Sequence, residues 1–417
     1  MRILIHDFAG HPFQIQLSRE LARRGHIVTH AYPLGLPGPK GRLARSAEDP
    51  EGFNVQPIAL SGSFRKYAPL RRLFAQRRYA RDLKALVSSE KPDVVLSGNT
   101  PIDIQCELLW WCRRNHVAFV HWVQDVYSHA IEFFLRRKIG ALATLLSSPF
   151  QQVEKQVVRR SNGAIVIAEA FAEILLEWGV ERTNLAVIEN WAPLDEVAYL
   201  PIDNEWREAH GLRGKTVFLY SGTMGLKHRP DLLYSLAASL ADNCKLVVVT
   251  EGIGRDYLER MPRLENLLLL DFQPYEILST ILASADVLVA TLESEAGRFA
   301  VPSKILSYLC AGRPILLSAP EDNLAAEVVR RSGAGFVADP AKPKEWTDAA
   351  NLLASDPVFR GSLGQKARSY AEQSFDIGRI AAAFEKNLAW AFRPTTVTTN
   401  APTKGTREVP QLLGPRT

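Results

Sequence analysis

Along the chain, short apolar runs alternate with longer segments whose apolar positions recur every three or four residues. Runs that read as buried parallel strands fall at 3–5, 27–31, 94–96, 117–120 and 164–167, and resume at 216–220, 245–250, 267–270, 287–290 and 314–317. Helix-like stretches lie between them, such as 15–24, which stops at Gly25, a residue free to take the left-handed turn that closes a helix. Strand and helix alternating in this way predict parallel sheets with crossover helices. The series breaks near Glu189-Asn190-Trp191-Ala192-Pro193. We therefore expect an α/β protein of two Rossmann-like, doubly wound domains facing a central cleft. The N-terminal domain is expected over 1–190, a linker over 191–213, the C-terminal domain over 214–375, and a closing helix over 376–392. Residues 393–417 hold seven Thr and four Pro and no aromatic residue, the composition of a disordered tail. No solenoid-type repeat is evident.

Composition narrows the class without naming a function. Of 417 residues, 47 % are hydrophobic and 23 % charged, which is ordinary for a globular chain. No apolar run approaches the roughly 18 residues of a membrane-spanning helix. The start, Met1-Arg2-Ile3-Leu4-Ile5-His6-Asp7, reads as a strand with an acidic stop, not as a signal peptide, so the expected location is cytoplasmic. Cys106, Cys112, Cys244 and Cys310 are scattered in apolar patterns without metal-ligand spacing and are expected to be buried, idle thiols. The net charge of +5 does not imply nucleic acid.

In open parallel sheets, ligands bind beyond the carboxyl ends of the strands. Three loops there suit anions or nucleotides. In Arg298-Phe299-Ala300-Val301-Pro302-Ser303-Lys304, Pro302 and Ser303 suit a helix start, with Ser303 expected to satisfy free backbone donors. A lysine in that first turn opposes the helix dipole unless an anion lies between them; otherwise Lys304 is an ordinary solvated side chain. In Ser221-Gly222-Thr223-Met224-Gly225-Leu226-Lys227, two glycines allow close backbone approach and Lys227 supplies a point charge, although the loop is no Walker A motif. In Glu251-Gly252-Ile253-Gly254-Arg255, the GxG pattern suits either a base or ribose contact or a plain tight turn. Gly10 and the Gly98-Asn99 pair occupy the equivalent places in the first domain.

Taken in order, these stretches resemble the retaining GT-B glycosyltransferases of glycosyltransferase family 4, and within it the bacterial enzymes of capsule, exopolysaccharide and O-antigen assembly. The resemblance rests on His26-Ile27-Val28, Val123-Gln124-Asp125 and Val187-Ile188-Glu189-Asn190-Trp191 in the first half. In the second it rests on 220–227, 251–254, Ala285-Asp286-Val287-Leu288-Val289, and Pro302-Ser303-Lys304 through Ala311-Gly312-Arg313-Pro314. It implies a nucleotide-diphosphate sugar held by the C-terminal domain, with Gly222, Thr223, Lys227, Gly252, Gly254, Glu295, Ser303, Lys304 and Ser307 at the donor. Phe272-Gln273-Pro274 would border the base and ribose, and the acceptor would enter from the N-terminal domain past Gly10 and Asn99. It implies no metal, the lysines and helix dipoles replacing one. Asp125 is the first choice for contacting the acceptor or the reactive sugar, followed by His129 and His11. The chain departs from the family where two glutamates eight positions apart are usual: Phe299 and Ser307 stand there, with Glu293 and Glu295 upstream. Thr223 stands where an arginine is usual.

Residues 65–84 hold eight basic residues and one acid, Asp82, interleaved with Leu70, Leu73, Phe74, Tyr79 and Leu83. That pattern suits either a solvated helix face or a peripheral contact with anionic lipid, which 131–160 would share. The latter implies a lipid-linked acceptor on the cytoplasmic leaflet. Two other functions use the same architecture: a non-hydrolysing nucleotide-sugar epimerase, and a non-catalytic binding subunit that has lost its chemistry.

Overall fold

The structure is a computed structural model that describes residues 1–36, 40–60, 69–225, 228–293 and 303–393. Its first sheet contains β1 (Arg2–Asp7), β2 (Ile27–Leu34), β3 (Phe53–Ala59), β4 (Val94–Gly98), β5 (Ala118–Val123), β6 (Gly163–Val166) and β7 (Leu185–Val187). All pairs are parallel, in the order β3-β2-β1-β4-β5-β6-β7. The second contains β8 (Thr216–Ser221), β9 (Cys244–Val249), β10 (Leu267–Leu270), β11 (Val287–Thr291), β12 (Ile315–Ser318) and β13 (Gly335–Ala338). It is also parallel throughout, in the order β10-β9-β8-β11-β12-β13. Both sheets reverse direction of growth once, between β1 and β4 in the first and between β8 and β11 in the second. These reversals open the crevices where such sheets bind ligands.

Every strand expected from the apolar runs is present, and three more complete the sheets. β3 carries Pro57 and lies at an edge, β7 is three residues long, and β13 opens on a glycine, so none shows a long apolar run. Among the first domain's helices are α1 (Pro12–Arg23), α2 (Pro69–Glu90), α3 (Ile102–Arg114), α4 (Tyr127–Ile139) and α5 (Leu142–Arg160). α1 starts three residues before the expected position because Pro12 takes its first turn, where a missing N–H costs nothing. The segment between the sheets holds a short helix, Glu205–Ala209, capped by the Asn204 side chain. Cys112, Cys244 and Cys310 are buried and Cys106 half-buried, all free; burial pushes the Cys112 and Cys310 thiols up to about 12.

The final helix, Ile377–Phe392, leaves the C-terminal domain and packs against α1, β4, β5 and β6 of the first. Its Phe384 ring meets Trp122 edge-on at 4.7 Å, and Trp122 stacks on Trp191 of the linker at 6.0 Å. Phe13 closes the cluster edge-on to both tryptophans. The Trp191 indole N–H donates to Gln16 at 2.7 Å, so its polar edge is satisfied inside the core. One continuous apolar core therefore runs from the first sheet through the linker into the second domain. Phe384→Ala is expected to cost about 3–5 kcal/mol, read as a fall in denaturation midpoint. A change within about 0.5 kcal/mol, the range of surface substitutions, would show that the helix merely rests on the domain.

A buried polar row crosses the first sheet beside this core. The His6 ring bonds Ser97 (3.0 Å) and Tyr79 (2.9 Å), and His30 bonds Ser18 (2.8 Å). Burial holds His6 and His30 down to about 3 and His121 to about 4. The unfolded chain takes up protons on these rings below about pH 6.5, which the native state refuses until pH 3–4. Their contribution to stability is thus complete above pH 6.5 and lost as pH falls, by about 1.4 kcal/mol per pH unit per ring. Denaturant titrations at pH 7.5 and about 5.5 should show that loss; a flat profile would mean the rings charge within the fold.

Candidate active site

A cavity of about 310 Å³ lies between the domains, walled by His11 and Phe13 of the first, Trp191 of the linker, and the strand ends of the second. Its floor is the helix Lys304–Ala311, whose first turns present Ser303, Lys304, Ser307 and Tyr308. Gly312, with φ +64°, ends this helix. Ser303 does not behave as expected: it is itself helical and its side chain makes no cap bond, which leaves the helix's amino end without that internal acceptor. Tyr308 secures the floor. Its hydroxyl accepts from the Ser221 amide at 3.0 Å and reaches the carbonyl of Val289 at 3.2 Å, tying the helix to β8 and β11 at the switch point.

The Lys304 ammonium lies 3.6 Å over the Tyr220 ring. Its chain runs beside Gly222, where a Cβ would stand 3.3 Å from both its terminal carbon and its nitrogen. Gly222 holds φ +131°, so the backbone after β8 turns where a side chain would both strain the chain and crowd the lysine. Gly222 and Thr223 border the cavity with Lys304 and Ser307. Together they form a polar end with one cation, a helix amino terminus and a hydroxyl-bearing rim. Phe272, Gln273 and Pro274 also line the cavity.

Gly252 and Gly254 take a different place. Neither borders the cavity; they lie behind the loop that follows β8. The Met224 amide donates to Glu251, the Gly254 amide donates to the Met224 carbonyl, and the Thr250 hydroxyl donates to Gly222. A Cβ on Gly254 would stand 2.3 Å from the Met224 side chain. The GxG turn thus serves as backing for the loop in front of it. Lys227 and Glu295 lie outside the described residues, as do 226 and 294–302.

On the first domain, His11 reaches the cavity and stacks on Phe13 at 5.6 Å. Burial and Lys40 lower its pKa, with Asp7 opposing them. Asp7, at the end of β1, is buried; its carboxylate accepts from the amides of Ala9 (2.8 Å) and His11 (2.6 Å). With its amide nitrogen turned inward, Gln14 also donates to it. Burial raises the Asp7 pKa against the pull of His11 and those amides. Lys40 donates to the Ala9 carbonyl at 2.8 Å and lies against Gly10, so the loop holding His11 is fixed from both sides. Asn99 takes φ +54° beside Asp7. The acidic stop after the first strand was the signal for Asp7; nothing in its Pro/Gly-rich surroundings marks Lys40.

Asp125 and His129 are not in this group. Asp125 is exposed beyond β5, and His129 on α4 stands edge-on to Trp178 at 6.1 Å. Neither borders the cavity. Gln124, beside Asp125, pairs instead with Asn190 through both amide groups, at 2.6 and 3.1 Å.

Residues 14–191 match a family model described as a glycosyl transferase 4-like domain, and 202–370 match one described as glycosyl transferases group 1. No curated protein matches by sequence. Among solved structures, Anabaena Alr3699/HepE in complex with UDP and glucose superposes with a TM-score of 0.66 at 16% identity, over 93% of this chain and 99% of that one. Sucrose-phosphate synthase from Thermosynechococcus elongatus gives 0.70 at 15%, over 93% and 98%. A putative UDP-N-acetylglucosamine 2-epimerase from Listeria monocytogenes gives 0.61 at 11%, over 93% and 96%. At such identities the likeness speaks for the fold alone, which transferases and an epimerase share. The two domain matches are what separate them.

The contact between the two second-domain loops is open to a direct check. Gly254→Ala should destabilise the protein by about 1–3 kcal/mol, and Met224→Ala in the same chain should recover part of that loss. Strictly additive losses would mean that the two loops do not bear on one another.

Proposed function

We propose that this chain, which belongs to the glycosyltransferases of GT-B architecture, transfers a sugar with retention from a nucleoside-diphosphate donor. The acceptor is a saccharide or lipid-linked saccharide, at the cytoplasmic face of the membrane, in the synthesis of a cell-surface polysaccharide. The observation that carries the reading is the polar end of the cavity, where Lys304, the amino end of its helix and the Gly222–Thr223 backbone converge. A diphosphate there is met by a cation and by amides already oriented, at no cost of reorganisation during the reaction. Lys227, in the same loop by sequence, adds a second cation. The Phe272–Pro274 edge suits a flat base. UDP-sugars are the first donors to test, because UDP and glucose occupy the Anabaena structure.

In this reading the bond from the anomeric carbon to the diphosphate oxygen breaks, and its electron pair stays with the phosphate. Charge then develops where Lys304 and the helix end lie, so they favour the transition state over the bound donor. The acceptor hydroxyl attacks from the same face and its proton passes to the departing phosphate. No metal takes part. His11, held by the Asp7 loop on the opposite wall, contacts the sugar or acceptor.

Thermal melting in the presence of UDP-, GDP-, ADP- and TDP-sugars, with and without EDTA, tests the reading. A donor at 100 times its dissociation constant adds about 2.7 kcal/mol, a readily measured shift. We expect a shift with one nucleotide class that EDTA leaves intact. In Lys304→Met, which keeps the aliphatic stem, the shift should vanish and transfer fall by about a hundredfold or more, while the melting point without donor holds. A donor shift preserved in Lys304→Met would remove the diphosphate role.

A further inference from the structure

One stretch of the cavity wall has little of its own to hold it. Phe272, Gln273, Pro274, Tyr275, Leu278 and Leu282 line the cavity from a single segment, the one that follows β10. β10 is an edge strand of the second sheet, so the chain leaving it has a strand neighbour on one side only. The segment then forms one 3₁₀ turn, Tyr275–Ile277, and a six-residue helix, Leu278–Ala283. Pieces this short do not persist on their own hydrogen bonds. Their position is set by what they touch.

What they touch is the linker. The Tyr275 hydroxyl donates to the Glu196 carboxylate at 2.8 Å, and the Ser279 hydroxyl donates to the Glu196 carbonyl at 2.9 Å. The Ala198 amide donates to the Ser279 hydroxyl at 3.1 Å, and the Asn204 side-chain amide donates to the Thr280 carbonyl at 3.2 Å. Glu196 is itself held by a turn. Its amide and that of Val197 both donate to the Pro193 carbonyl, and Val197 is buried in the core that joins the domains. On the other side, Asp195 accepts from Gln16 of α1, the residue that also accepts from Trp191. Glu196 thus takes its position from the first domain and imposes it on a wall of the second.

Among these contacts, the one between Tyr275 and Glu196 is made by side chains at both ends. Burial, and then the carboxylate beside it, push the Tyr275 hydroxyl up from its ordinary value, so it keeps its proton and remains a donor. A tyrosine bonded at its tip has its side-chain torsions fixed, where an unbonded one rotates between staggered positions. Tyr275 borders the cavity and Glu196 does not.

We propose that Glu196 is a positioning residue for donor binding: through the Tyr275 hydroxyl it holds the wall against which the nucleoside half of the donor lies. The inference rests on the donor reading above and adds to it a linker residue that touches no substrate. Its test uses the nucleotide sugar that raises the parent's melting point, the matching nucleoside diphosphate, and inorganic pyrophosphate. Each is titrated into the parent, Glu196→Ala, Glu196→Gln and Tyr275→Phe. Both Glu196→Ala and Tyr275→Phe, which keeps the ring and loses the bond, should weaken the nucleotide sugar and the nucleoside diphosphate alike by about tenfold. Pyrophosphate, which reaches only the polar end, should bind as it does to the parent. The double variant should lose no more than either single one, and Glu196→Gln, still an acceptor, should recover most of the affinity. Should Glu196→Ala fail to fold, Tyr275→Phe carries the same comparison. A parent that binds no nucleotide sugar would end the donor reading and this inference together. Four results in a parent that does bind one would overturn this inference alone: unchanged affinity in the variants, losses that add, pyrophosphate weakened equally, or Glu196→Gln as weak as Glu196→Ala.

Discussion

The packing of four aromatic rings, Phe13, Trp122, Trp191 and Phe384, decides how the two halves of this protein meet. Each ring comes from a different part of the chain: the first helix, a central strand, the linker and the last helix. Because the indole of Trp191 is both buried and hydrogen-bonded to Gln16, the linker is held where it leaves the first sheet. The adjoining residues continue that hold. Gln16 donates to Asp195, and the Glu196 carboxylate accepts from Tyr275 of the second domain at 2.8 Å. The cleft is thus framed by groups bonded to one another through the linker, and its walls are the carboxyl ends of two sheets.

Within that frame the site follows a simple electrostatic division. The second domain supplies fixed positive ends, a lysine and a helix terminus, on a floor pinned by Tyr308. The first supplies a histidine on a loop whose geometry is set by a buried carboxylate. Asp7 accepts amide hydrogens instead of pairing with an exposed cation, so its charge shapes backbone before it shapes any ligand. The glycine-rich turn after β9 shows the same economy in reverse, since its small residues give Met224 room and thereby steady the loop ahead of it.

Much of this was legible in the sequence, and the exceptions have physical causes. Ten strands show as apolar runs because a strand covered on both faces needs no polar alternation. β3, β7 and β13 escape because an edge position, three residues or a leading glycine erases that signature. The Gly222 and Lys304 loops could be found because a close backbone approach and a lysine in a helix's first turn leave a local pattern, and the two meet at the cavity. The contribution of Lys40 could not, since a lysine reaching across from a distant loop leaves no local pattern. Asp125 shows the opposite limit: an acid at a strand end is well placed topologically, yet the chain leaving β5 exposes it beside the α4–α5 hairpin and does not bring it to the cavity. Ser303 has the right identity for a cap and the wrong backbone conformation for one.

The return of the last helix to the first domain bears on how such proteins exchange parts. A Rossmann-like half looks like a unit that recombination could lift out at the linker, yet here the first half is finished by residues 377–392, encoded at the opposite end. A hybrid that takes its second half from elsewhere inherits a foreign lid for its first, with Phe384 replaced against Trp122. The heritable module is consequently discontinuous, a leading segment plus a distant terminal one. Shuffling of donor domains is then confined to partners whose final helices are interchangeable.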